Sequence, residues 1–149
     1  QILRASCDAI LTGGNTLRND NPRMNARVNF PTNQPKKILL TSKDCDKELN
    51  FFKDNDVQIY KNKDLAQIIK SFKDQDFCSI LIEAGPKLAN SFLELGLVDE
   101  IISYTSNNEL GDKAVSWFKE NNAIENYGFK LESSYKIESD IKEVFKKNG

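Results

Sequence analysis

Apolar and polar positions change rhythm several times along the chain, and each change marks a predicted element. Ala9, Ile10, Leu11 and Thr12 form a short apolar run that stops at Gly13-Gly14, which predicts a strand ending in a turn. "KILLT" at 37–41 follows a loop punctuated by Pro31 and Pro35 and predicts a second strand; "VQIY" at 57–60 predicts a short third. Leu65, Ile68, Ile69 and Phe72 recur at i, i+3, i+4 and i+7, the signature of an amphipathic helix. "SILI" at 79–82 is continuously apolar, as expected of a parallel strand covered on both faces. Gly85-Pro86 then opens a helix, with Leu88, Phe92 and Leu95 along one face and Gly96 placed to cap its end.

Residues 98–104 start the next strand, and this strand–helix–strand order predicts a right-handed parallel crossover. After Gly111 the pattern weakens. Residues 114–119 read as a short helix or as a loop packed by Trp117 and Phe118. Residues 129–131, 135–137 and 141–145 alternate like half-exposed antiparallel strands. No repeat or internal linker interrupts the sequence, so the expectation is one α/β domain over residues 1–149.

Composition narrows the chemistry. At 149 residues the chain is long enough to bury a core unaided, and 39% hydrophobic with 29% charged residues is an ordinary globular balance. A net charge of -1 offers no basic field for nucleic acid or for an anionic membrane. Lys142, Lys146 and Lys147 alternate with acids and read as a solvated face. No apolar run approaches the roughly 20 residues that span a bilayer, and no signal peptide is visible. Cys7, Cys45 and Cys78 stand far apart, which suits reduced thiols in a cytoplasm, with Cys7 and Cys78 expected to pack as small hydrophobes. The sequence has no histidine, so no zinc site is expected, and Ser-His-Asp and Cys-His catalysis are excluded. Acid–base work then falls to Asp, Glu, Lys, Tyr or water.

Several positions stand out against this background. "LTGGNTLRNDNP" matches neither the dinucleotide fingerprint nor the P-loop, so Gly13-Gly14 reads first as a turn. Thr16 is placed to N-cap a short helix over 17–20. Asp20, four residues on, shares its face and either caps the Asn21-Pro22 turn or serves a site. Glu83 ends the most apolar strand just before Ala84-Gly85-Pro86, where open α/β sheets collect ligands beside helix N-termini. It reads as a ligand contact or as a salt-bridged turn residue. Ser42-Lys43, beyond the second strand, offers a hydroxyl and a cation for a phosphate group. Arg4 and Arg27 flank the first motif.

"LRASCDAILTGGNTLRNDNPRMNAR" and "ILIEAGPKLANSFLELGLVDEIISY" together resemble the reductase domain of the bifunctional riboflavin-biosynthesis deaminase-reductase family. The shared pattern is an Arg before the strand, Thr-x-x-x-Asp-x-Pro, Glu-x-Gly-Pro and a Gly-Leu-Val-Asp-Glu run. The resemblance implies a dihydrofolate-reductase-like three-layer α/β fold, with a mixed, mostly parallel sheet, flanking helices and antiparallel C-terminal strands. It implies NADPH as cofactor and reduction of the ribosyl group of 5-amino-6-(5-phosphoribosylamino)uracil to ribityl. The alternatives are reduction of another heterocycle, pterin- or folate-like, or a non-catalytic dimerising remnant of the same fold.

Carried over motif by motif, Thr16 and Asp20 line the NADPH site and Ser42 lies near its adenosine phosphate. Gly85, Pro86, Lys87, Leu88, Ala89, Asn90 and Ser91 take its pyrophosphate. Arg4, Met24, Arg27 and Glu83 contact the phosphorylated substrate, while Asp20 or Glu83 relays a proton. The resemblance also implies a cytoplasmic homodimer formed through the C-terminal strands. The zinc deaminase of the family is absent from the sequence, Gln1 begins partway into the reductase domain, and the family's opening strand is expected upstream of it. Asn21 replaces a second acid, and residues 105–109 replace the usual Ala-Pro turn.

Overall fold

The structure, a computed structural model, describes residues 1–53, 56–61, 64–111, 114–117 and 123–147. Two compact units divide the chain, 1–89 and 90–149.

In the first unit, a short helix α1 (Ile2–Ala5) leads to β1 (Ala9–Gly13), α2 (Gly14–Asp20) and β2 (Lys36–Leu40). A 3-10 turn at Asn50–Phe52 precedes β3 (Val57–Tyr60), α3 (Leu65–Lys73) and β4 (Ile80–Ile82). The strands form one parallel sheet in the order β3-β2-β1-β4. Residues Ala9 to Thr12 are fully buried, which explains the apolar run read from the sequence. One sheet face carries Ile10 and Leu39, which pack with Leu17 of α2, Met24 and Phe51 into the core of this unit. Burying each such side chain contributes about 1.5–3 kcal/mol. Helix α3 buries Leu65, Ile68 and Phe72, three of the four positions its periodicity marked. Asp64 caps it by accepting from the Gln67 N–H, and Lys70 and Lys73 sit in the last turn, where the helix dipole favours cations.

β4 is parallel, as its composition predicts, but among the described residues it pairs only with β1 and its residues are half-buried, so it is not covered as a central strand would be. Asp8 ties the two strand starts together. Its Oδ2 accepts from the Cys78 N–H at 2.9 Å, the Ser79 N–H at 2.8 Å and the Ser79 hydroxyl at 3.0 Å, and these bonds, led by those from Ser79, hold the carboxyl below its ordinary range. The cysteines are all free thiols. Cys7 is half-buried, and burial pushes its thiol up; Cys78 is exposed, contrary to the expectation that it packs as a small hydrophobe.

Helix α4 (Pro86–Glu94) starts in the first unit and ends in the second, where Gly96 at φ 67° closes it with its N–H on the Leu93 carbonyl. The second unit holds β5 (Glu100–Thr105), a 3-10 turn at Ile124–Tyr127, β6 (Phe129–Ile137) and β7 (Asp140–Lys147). These strands form a separate antiparallel sheet in the order β5-β7-β6. The predicted parallel crossover into residues 98–104 is therefore corrected: β5 pairs antiparallel with β7, not with β4. Ile101 is buried while Glu100, Tyr104 and Thr105 are exposed, as suits a strand with one face toward a core and one toward solvent.

Residues 129–131 and 135–137 are one strand, broken by a register shift between Leu131 and Ser133 that split the alternation in the sequence. Leu93, Ile101, Phe129 and Phe145 form the core of this unit. The lysines near its end are solvated and paired: Lys146 meets Glu132 at 2.9 Å, and Lys147 donates to the Gly96 carbonyl. Residues 114–117 form no helix, and Phe118 and Lys119 lie outside the described residues.

Candidate active site at the strand ends

The carboxyl ends of β1 and β4 bring together residues from both sequence motifs. β1 runs without a break into α2, whose N-cap is Gly13 rather than Thr16. Thr16 therefore lies inside the helix, freed from capping. A Cβ built on Gly85 would meet only the Thr16 hydroxyl, at 3.9 Å. This opening, flanked by a hydroxyl and followed by the start of α4, leaves room for an anionic group. The glycine pair supplies clearance instead of a phosphate cradle. A Cβ on Gly13 would stand 3.2 Å from Leu88, and one on Gly14 would stand 2.5 Å from the Thr41 hydroxyl and 2.9 Å from Thr41 Cβ.

Glu83 follows β4, its backbone N–H bonded to the Leu11 carbonyl at 3.0 Å. Its carboxylate is gripped by Arg4: Nε donates to Oε1 at 2.7 Å and Nη2 to Oε2 at 2.5 Å. The third guanidinium nitrogen, Nη1, leans on the Asn25 carbonyl at 3.4 Å. This is the parallel two-bond fork that a planar guanidinium makes with a carboxylate. Only 18% of the Arg4 side chain and 32% of the Glu83 side chain are exposed, so water screens the pair incompletely. The hydrogen bonds that Arg4 donates to Glu83 raise its guanidinium above the ordinary value against the opposing pull of burial.

The other expected site residues are more dispersed. Asp20 is exposed at the end of α2, just before Asn21 in the left-handed conformation at φ 43°. Met24 also has positive φ, at 54°, but its side chain is only 4% exposed and belongs to the core, which leaves its backbone as the part able to face a ligand. Arg27 is exposed, its N–H bonded to the Gln1 side chain. Ser42 is exposed beyond β2. Along the start of α4, Gly85 and Lys87 are exposed and Pro86, Leu88 and Ala89 half-buried. Asn90 and Ser91 belong to the second unit, where Asn90 is buried and donates to the Trp117 carbonyl at 3.0 Å. Among the described residues no cluster of potential metal ligands occurs, and no helix is long and apolar enough to cross a membrane.

Two features escaped the sequence reading. The Arg4–Glu83 pair joins residues 79 positions apart, and only the adjacency of β1 and β4 brings them into contact. Arg18 stands one turn after Asn15 and donates to it at 2.7 Å; the three-residue spacing was the available signal.

Comparison with known proteins fits this geometry. Residues 1–142 match the family described as the RibD C-terminal domain. The riboflavin biosynthesis protein RibD of Buchnera aphidicola subsp. Baizongia pistaciae is 28% identical, the alignment covering 100% of this chain and 51% of that protein. The chain thus spans about half the length of that curated relative. The fold is shared with Acinetobacter baumannii RibD, at a TM-score of 0.86 and 24% identity over 99% of this chain and 49% of that one. It is also shared with a diaminohydroxyphosphoribosylaminopyrimidine deaminase/5-amino-6-(5-phosphoribosylamino)uracil reductase from Thermotoga maritima, at a TM-score of 0.80 and 17% identity over 99% of this chain and 47% of that one. The dihydrofolate-reductase-like α/β architecture implied by the motifs is therefore present, and a family match running nearly end to end means that this chain belongs to the RibD C-terminal domain family.

Proposed function

We propose that the protein reduces the ribosyl group of 5-amino-6-(5-phosphoribosylamino)uracil to ribityl in riboflavin biosynthesis, with NADPH as reductant, as a cytoplasmic homodimer. The observation that carries this reading is the pairing of two motif-borne contacts at adjacent strand ends, Thr16 facing Gly85 and Arg4 forked onto Glu83. The family match supports it, as does the reductase activity for which the Thermotoga maritima neighbour is named.

Bound NADPH would supply a hydride for C1 of the sugar in its ring-opened imine form, so that substrate, NADPH and a proton give the ribityl product and NADP⁺. The rest is positioning and proton handling by this chain. The open ground before α4 suits the cofactor's pyrophosphate, with the Thr16 hydroxyl beside it. Glu83 has both carboxylate oxygens engaged, so it acts through Arg4, fixing the plane of a guanidinium that meets the substrate's phosphorylated sugar. Asp20 makes no side-chain hydrogen bond or ion pair among the described residues and is the carboxylate available to exchange a proton with the opened sugar. In the second unit Tyr104, Tyr135 and Ile137 are exposed on one face of the antiparallel sheet, which supports a dimer surface there.

Binding tests the cofactor half of this reading. In protein expressed from the complete reading frame, NADPH at a hundredfold excess over its Kd stabilises the fold by about 2.7 kcal/mol, seen as a rise in Tm. NADH at the same concentration produces a smaller rise. Equal or absent shifts contradict NADPH as the cofactor.

A further inference from the structure

We infer that Arg18, supported by Ser42 and Lys43, recognises the 2′-phosphate of the cofactor's adenosine and so sets the preference for NADPH over NADH. This rests on the cofactor reading above and adds a specificity residue to it.

The two sides of α2 face different strand ends. Thr16 faces Gly85, beside β4. Asn15 and Arg18 face the end of β2. A Cβ on Gly14 would lie 3.0 Å from Arg18 Nη1 and 2.5 Å from the Thr41 hydroxyl, so guanidinium and strand end are close neighbours. Arg18 Nη2 donates to Asn15 Oδ1 at 2.7 Å, and Nη1 points toward Cys45 Sγ at 3.9 Å. The first contact aims the fork; the second is a weak sulfur contact that a phosphate oxygen would displace at little cost.

Charge completes the case. Among the described residues no carboxylate meets Arg18, and neither Ser42 nor Lys43 spends its side chain on a hydrogen bond or ion pair. The nearby acid Asp44 is held by Lys61 at 2.7 Å. The turn presenting Ser42 and Lys43 is fixed: the Thr41 hydroxyl donates to the Lys43 carbonyl at 3.0 Å and accepts from the Lys43 N–H at 3.2 Å. A guanidinium, an ammonium and a hydroxyl at one open strand end suit a phosphomonoester dianion. The placement also suits a dinucleotide. From the end of β4 to the end of β2 is two strand spacings, about 10 Å, a reach compatible with a pyrophosphate near Gly85 and a 2′-phosphate near Arg18.

The test compares Kd values for NADPH and NADH in protein from the complete reading frame, before and after Arg18→Ala. The expected result is a loss of NADPH affinity of about tenfold to a hundredfold, the range for removing charge-assisted hydrogen bonds, with NADH affinity unchanged. Adenosine 2′,5′-bisphosphate loses affinity in parallel and 5′-AMP does not. Lys43→Ala gives a smaller loss of the same kind. NADPH affinity that survives Arg18→Ala, or an equal loss for both cofactors, overturns the assignment. Wild-type protein that binds both cofactors equally overturns it while leaving a nicotinamide site in place; protein that binds neither overturns the cofactor reading itself.

Discussion

Arg4→Ala and Glu83→Ala are each expected to lower kcat/KM for the pyrimidine substrate by about a hundredfold, the scale of a lost positioning or charge-assisted contact, and the double variant to be little worse than either. Each single change dismantles the same fork. Without Glu83, the Arg4 guanidinium loses two of its bonds and keeps only the longer one to the Asn25 carbonyl. Without Arg4, a carboxylate only 32% exposed is left beside the strand end with no countercharge. Residues that act as one unit give non-additive losses, and a double-mutant cycle measures that directly. Glu83→Asp and Glu83→Gln separate positioning from acid–base chemistry. A residue acting through Arg4 raises KM for the phosphorylated substrate and leaves the pH profile of kcat in place. Additive losses, or a pH profile reshaped by Glu83→Gln, would return Glu83 to a direct catalytic role.

Lys37→Met is expected to destabilise the first unit by about 2–4 kcal/mol, from a buried carbonyl at Phe51 and a partly buried one at Lys53 losing a donor at about 1–3 kcal/mol each. Lys37 is 0% exposed although it lies on an interior strand of the sheet. Its Nζ donates to the Phe51 carbonyl at 2.9 Å and the Lys53 carbonyl at 3.0 Å, and sits 5.6 Å from the Phe51 ring centre. An ammonium in such a place is tolerated because carbonyl dipoles and the ring face replace its water. Methionine has a similar length and keeps the packing, so the loss isolates the polar contacts; the gain from no longer burying a charge offsets part of it, which sets the upper end of the range. Denaturant unfolding measures the change as a lower midpoint at unchanged slope. A midpoint equal to that of the wild type would mean that the carbonyls find water, and that Lys37 does not hold the 50–53 segment.

The sequence pattern was most informative where structure is local. The apolar runs at 9–12, 37–41 and 57–60 and the periodicity of 65–72 correspond to β1, β2, β3 and α3, because burial on strands and on one helix face depends on side-chain spacing alone. Gly96 was legible as a C-cap because a positive φ strongly favours glycine. Partner choice was not legible. Nothing in residues 98–104 reveals that β7, some forty positions later, is the neighbour of β5, so a parallel crossover was the natural expectation; the antiparallel C-terminal strands were anticipated, but the membership of β5 in their sheet was missed.

The site followed the same division. Thr16, Glu83 and Gly85 stood out by residue type and position, and the fold puts Thr16 beside Gly85. The engagement of Glu83 by Arg4, the burial of Met24 in the core and the cluster of Arg18 with Thr41 depend on contacts between distant segments. Lys37 was hidden for another reason. A lysine at the start of an apolar strand usually snorkels to water, whereas the backbone carbonyls of Phe51 and Lys53 and the Phe51 ring help to keep this one inside.

The central claim is hydride transfer to the ribosyl carbon, and isotope tracing tests it most directly. Protein from the complete reading frame is given 5-amino-6-(5-phosphoribosylamino)uracil and NADPH deuterated at the transferable position of nicotinamide C4, and the product is analysed by mass spectrometry and NMR. The account predicts substrate-dependent NADPH oxidation with one deuterium delivered to C1 of the ribityl chain. NADPH that stays reduced in the presence of the substrate, or a product with no deuterium at that carbon, would contradict it.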